Sequence, residues 1–65
     1  MENLRIMKRP QVEVTTALSR SSIYAMMKNG TFPSPIKLGP RSVGWLASDV
    51  AQWIEGRVAA SRGGF

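Results

Sequence analysis

The chain has 65 residues, room for one small domain that can bury only roughly 60% of its unfolded surface, so its 43% apolar content is needed for packing rather than for a deep substrate pocket. There is no His and no Cys, and the four carboxylates (Glu2, Glu13, Asp49, Glu55) form no D-x-D or E-x-x-E pair; a non-enzyme without metal or cofactor is therefore expected. Nine Lys and Arg give a net charge of +5, which favours a polyanionic partner, nucleic acid before a membrane surface, and the lack of a long apolar run or targeting signal points to a cytoplasmic protein.

In chain order, residues 1–6 read as a lead-in whose Leu4 and Ile6 would dock on the core, and Pro10 then opens an element. Residues 11–16, QVEVTT, are ambiguous. Their alternating Val12 and Val14 and their β-branched content favour a strand by propensity, while the segment that follows favours a helix-turn-helix. That segment has Ser19 as N-cap, a short helix with Ile23, Met26 and Met27 on its apolar face and Ser21, Ala25 and Lys28 opposite, and Gly30 in a left-handed cap.

The prolines of TFPSP exclude helix, and Phe32 is placed to plug the core. Ile36-Lys37-Leu38 and Ser42-Val43-Gly44-Trp45 then read as a β-hairpin with one buried face and a three-residue tip, Gly39-Pro40-Arg41. A last helix from Leu46 or Ala47 to about Ala60 carries Val50, Trp53, Ile54 and Val58 at helical spacing, with Asp49 in its first turn and Arg57 in its last. Residues 61–65 read as a flexible tail. Trp45 and Trp53 are expected as core anchors.

Helix, turn, helix, hairpin and helix make an α+β, mostly helical fold: a small winged helix-turn-helix spanning 1–65 as a single domain. A helix of this diameter fits the major groove of a duplex, its first-turn amides and side chains reach phosphates and base edges, and the hairpin tip delivers Arg41 to the adjacent backbone or minor groove. The candidate DNA-contacting residues are Ser19, Arg20, Ser21, Ser22, Tyr24, Lys28, Lys37 and Arg41, with Lys8 and Arg9 as flanking cations.

The segments LSRSSIY, NGTFPSPIKLGPRSVGW and SDVAQWI resemble the AlpA family of small prophage regulators, which is close to the excisionase and MerR-like DNA-binding domains; the resemblance runs from Met7 to about Arg57. It implies a helix over 10–16 and a DNA-binding transcriptional regulator or recombination directionality factor carried by a mobile element. Double-stranded DNA is the implied partner, with self-association on repeated sites and an integrase or RNA polymerase as further ones, in a nucleoid-associated setting. The alternative is a protein-interaction module that inhibits or recruits another regulator. Two positions depart from the family pattern. Ala17 stands where Gly usually precedes the Leu-Ser pair, at a cost of about 1 kcal/mol if that turn needs positive φ, and Ala25 stands where a basic residue is frequent.

Overall fold

The computed structural model describes residues 4–63, in the order β1 (Ile6–Met7), α1 (Arg9–Thr16), α2 (Arg20–Lys28), β2 (Ile36–Gly39), β3 (Ser42–Leu46) and α3 (Ala47–Gly63). The ambiguous stretch is helical, as the family resemblance implies and propensity does not. Pro10 lies in the first turn of α1, where its missing N–H breaks no intrahelical bond. Val12 is fully buried while Val14 is 83% exposed, so the alternation that imitates a strand puts only one valine into the core.

The end of α1 is closed locally. Thr16 Oγ1 donates to the Val12 carbonyl at 2.7 Å and accepts from the Leu18 N–H at 3.3 Å. Ala17 then takes φ 63 and ψ 19, a left-handed conformation that turns the chain into α2. Ser19 caps α2 by accepting from the Ser22 N–H at 3.2 Å. At the other end the Thr31 N–H donates to the Met26 carbonyl and the Gly30 N–H to that of Met27, at 2.8 and 3.1 Å. This is a Schellman closure, and Gly30 supplies its positive φ of 77.

The strands form one antiparallel sheet in the order β1-β3-β2. Ile6 pairs with Leu46 and Met7 with Trp45, and the Ala47 N–H donates to the Arg5 carbonyl at 2.8 Å. Because side chains alternate across a strand, Met7 enters the core beside Trp45 and Ile6 points the other way. The N-terminal segment therefore docks through Met7, the residue after the lead-in, and not through Leu4 and Ile6, which are 75% and 38% exposed.

The hairpin also differs from its expected form. Ile36 pairs with Gly44 and Lys37 with Val43, so Ile36 lies on the side opposite Val43 and Trp45. A register irregularity between Lys37 and Gly39 leaves Leu38 over Gly44 on that same outer side. The sheet thus has two apolar faces: Met7, Val43 and Trp45 against the helices, and Ile6, Ile36, Leu38 and Leu46 outward. Gly39 pairs with Ser42, which makes the tip a two-residue turn, Pro40-Arg41.

Met7, Val12, Ile23, Phe32, Trp45 and Val50 form the core, with Leu18, Met26, Met27, Trp53 and Ile54 packed against it. Both indoles also hold the connector. Trp45 Nε1–H donates to the Pro33 carbonyl at 3.0 Å and Trp53 Nε1–H to that of Thr31 at 2.8 Å. The Phe32 and Trp53 rings meet edge to face at 5.1 Å.

Helix α3 continues past Ala60 to Gly63, taking in Ser61 and Arg62 of the expected tail; residues 64–65, like Met1, Glu2 and Asn3, lie outside the described residues. Arg62 therefore occupies the last turn in place of Arg57, whose guanidinium stacks on Trp53 at 5.5 Å. Val58, expected on the packed face of this helix, is 43% exposed.

Candidate nucleic-acid interface

Helix α2 owes its position to three buried anchors on other elements: Ile23 packs into the core with Val12 of α1, Trp45 of β3 and Val50 of α3. At about 100° per residue, anchoring Ile23 together with Met26 and Met27 turns Arg20, Ser21, Tyr24, Ala25 and Lys28 onto an opposite arc of about 140°. All of these are exposed. The arc is polar except at Ala25, and it runs from the first residue of the helix to the last.

The candidate residues on α2 divide by what they already do. The Ser19 and Ser22 hydroxyls serve the cap: Ser19 Oγ donates to Ser22 Oγ at 3.1 Å besides accepting from the Ser22 amide. Ser22 is half-buried, which leaves Ser21 as the more accessible hydroxyl of the first turn. The guanidinium of Arg20 lies over the Tyr24 ring, 5.7 Å from its centroid. An i, i+4 pair of this kind is readable in a sequence once the helix is assigned, and it gives Tyr24 a second role: its ring limits the freedom of Arg20. Lys28 closes the arc at the C-terminal turn.

On the wing, pairing with Val43 places Lys37 on the side of the sheet that carries the helices, and its side chain is exposed. Arg41 is exposed in the turn between β2 and β3. Among the described residues the one ion pair joins Arg9 and Glu13, with Arg9 Nε 3.1 Å from Glu13 Oε2. Among the described residues, the cations of α2 and the wing therefore have no carboxylate partner. A contact that sequence reading does not supply links the N-terminal segment to the wing: Lys8 Nζ donates to Ser42 Oγ at 2.8 Å. The partners are 34 residues apart, and neither belongs to a motif that marks the other.

Among the described residues, no helix is long and apolar enough to cross a membrane. The structure presents a capped helix with an exposed polar arc, and a hairpin with a cationic turn.

Comparison with known proteins agrees with this architecture. The family described as prophage CP4-57 regulatory protein (AlpA) matches residues 5–58. ORF88 of Enterobacteria phage P4 is 39% identical over 61 residues, spanning 94% of this chain and 69% of that protein. The DNA-binding transcriptional activator AlpA of Escherichia coli K12 is 32% identical over 60 residues, spanning 83% of this chain and 86% of that protein. The matched stretch holds α1, α2, the hairpin and the packed part of α3, and on these matches the chain belongs to the AlpA family of prophage regulatory proteins.

Proposed function

We propose that the protein is a sequence-preferring double-stranded DNA-binding regulator of a prophage or related mobile element, acting in transcription, in excision as a directionality factor, or in both. Helix α2 enters the major groove and the hairpin rests on the neighbouring backbone or minor groove. The observation that carries the reading is the exposed arc from Arg20 to Lys28, whose cations have no carboxylate partner among the described residues, on a helix held from behind by the buried Ile23. The similarity to an activator described as DNA-binding supports it.

The residues divide by role. Arg41 and Lys37 meet phosphates, which fix position without reading sequence. Arg20, Ser21 and Tyr24 face the base edges and set preference, and Ser19 and Ser22 shape the first turn that presents them. A single module of this size covers only about 600–1,000 Å² of DNA. Monomer binding is accordingly weak, and occupancy is raised by neighbouring copies on repeated sites or by a bound integrase or RNA polymerase.

Titration of a duplex from the protein's own locus at increasing salt tests this. Several phosphate contacts make affinity fall steeply with salt. Arg41→Ala weakens binding to all sequences alike, whereas Ser21→Ala and Tyr24→Phe change the ratio between sites. Equal effects from all three would remove the division of roles. A second reading, a module that binds and inhibits or recruits another regulator, is favoured by the uncharged Ala25 and by the exposed Ile6 and Leu38 on the outer sheet face. A salt-insensitive response with capture of a protein partner would select it.

A further inference from the structure

The hydrogen bond from Lys8 to Ser42 brings to the wing a cation from outside its own sequence, in addition to Lys37 and Arg41. We propose that Lys8 and Arg41 act together as a clamp on neighbouring phosphates of one DNA strand, with Ser42 as the residue that positions Lys8; this rests on the DNA-binding reading above. The pairing of Met7 with Trp45 ties the chain to β3 one residue before Lys8. From there the side chain crosses to the first residue of β3, where its Nζ meets Ser42 Oγ at 2.8 Å. Ser42 directly follows Arg41 in sequence, so Lys8 Nζ is anchored at the residue next to Arg41. Both cations are exposed, and neither takes part in the Arg9–Glu13 ion pair.

The chemistry suits phosphate better than an internal role. An ammonium has three donors, and one bond to a hydroxyl leaves two of them unused. A serine hydroxyl does not neutralise the charge, but it does restrict the lysine's rotamers, so less freedom is lost when the anion arrives. Successive phosphates of one strand follow one another at about 3.4 Å along the helix axis, so cations carried at adjacent chain positions, Arg41 and the Lys8 anchored on Ser42, suit neighbouring groups. The Ser42 hydroxyl hydrogen also remains available to a phosphate oxygen.

The test is the salt dependence of binding to a short mixed-sequence duplex, because phosphate contacts do not require the operator. Each lost phosphate contact reduces the slope of log K against log salt by about 0.9, so the advantage of the wild type over Lys8→Ala should shrink about 3.5-fold between about 50 and 200 mM salt. Lys8→Gln should match Lys8→Ala, and Lys8→Arg should keep the wild-type slope. Ser42→Ala, with the charge kept and its anchor removed, should weaken binding less than Lys8→Ala and leave most of the slope. Arg62→Ala, the same charge change in the last turn of α3, should leave the slope unchanged. Thermal melting of each variant confirms that the fold is intact. A steep wild-type slope that Lys8→Gln does not alter, or that Arg62→Ala lowers equally, overturns the clamp alone. A flat wild-type slope overturns the DNA-binding reading and the clamp with it.

Discussion

Helix α2 is bracketed by two residues of similar positive φ and different side chains: Ala17 at φ 63 and Gly30 at φ 77. At Gly30 nothing lies within 4 Å of where a Cβ would stand, so the choice of glycine answers to the backbone alone. At Ala17 the same left-handed conformation is held with a Cβ present, at about 1–2 kcal/mol. What holds it there is the packing on either side. Val12 before the turn and Ile23 after it are both fully buried, Leu18 packs against the core, and Thr16 braces the Leu18 amide. The two ends of α2 are thus held differently, by tertiary contacts at its N-terminal side and by local backbone preference at its C-terminal side.

The largest expected effect calibrates this comparison with a glycine chosen for space. A Cβ at Gly44 would run into Ile6 Cγ2 and come within 3.2 Å of both Leu38 Cδ1 and the Met7 carbonyl oxygen. Ile6 is β-branched and the carbonyl is backbone, so neither yields freely. Gly44→Ala should therefore lower stability by about 1–3 kcal/mol, read as a shift of the urea midpoint at constant slope. An unchanged midpoint would mean that the outer sheet face is not packed as described. Gly30→Ala should follow at about 1 kcal/mol, since its strain is purely conformational and is partly offset by a stiffer unfolded chain. If Gly30→Ala were neutral, the two brackets of α2 would not differ and the contrast with Ala17 would dissolve.

The legible parts of the molecule are those set by short-range chemistry. The Ser19 cap, the left-handed Gly30, the fully buried Trp45 and the Phe32 plug all follow from a residue type and its immediate neighbours. Helix α1 was not legible this way, because β-branched Val12, Val14, Thr15 and Thr16 favour a strand and only packing on α2, α3 and β3 overrides them. The hairpin register was hidden for a related reason. The triplet Ile36-Lys37-Leu38 alternates as a half-buried strand would, but alternation does not say which face is inward, and the irregularity at Leu38 follows from pairing with β3. In the candidate interface, the α2 arc comes directly from helical periodicity. The Lys8–Ser42 contact does not, since it exists only after β1 has paired with β3.

The smallest effect is also the most discriminating, because it has the opposite sign. Ala17→Gly removes the Cβ from the left-handed turn and relieves about 1–2 kcal/mol of steric cost, while the added freedom of the unfolded chain returns about 0.5–1 kcal/mol. The expected balance is a gain of about 0.5 kcal/mol, which in a domain this small raises the melting midpoint by about 2–4 °C. DNA affinity should stay the same, since packing of Val12 and Ile23 rather than the turn residue fixes how α2 is presented. A higher midpoint accompanied by a changed affinity would show that the turn itself steers the helix. A lower midpoint would show that the Ala17 methyl makes a stabilising contact outweighing its strain, and the two ends of α2 would then be governed by the same kind of force.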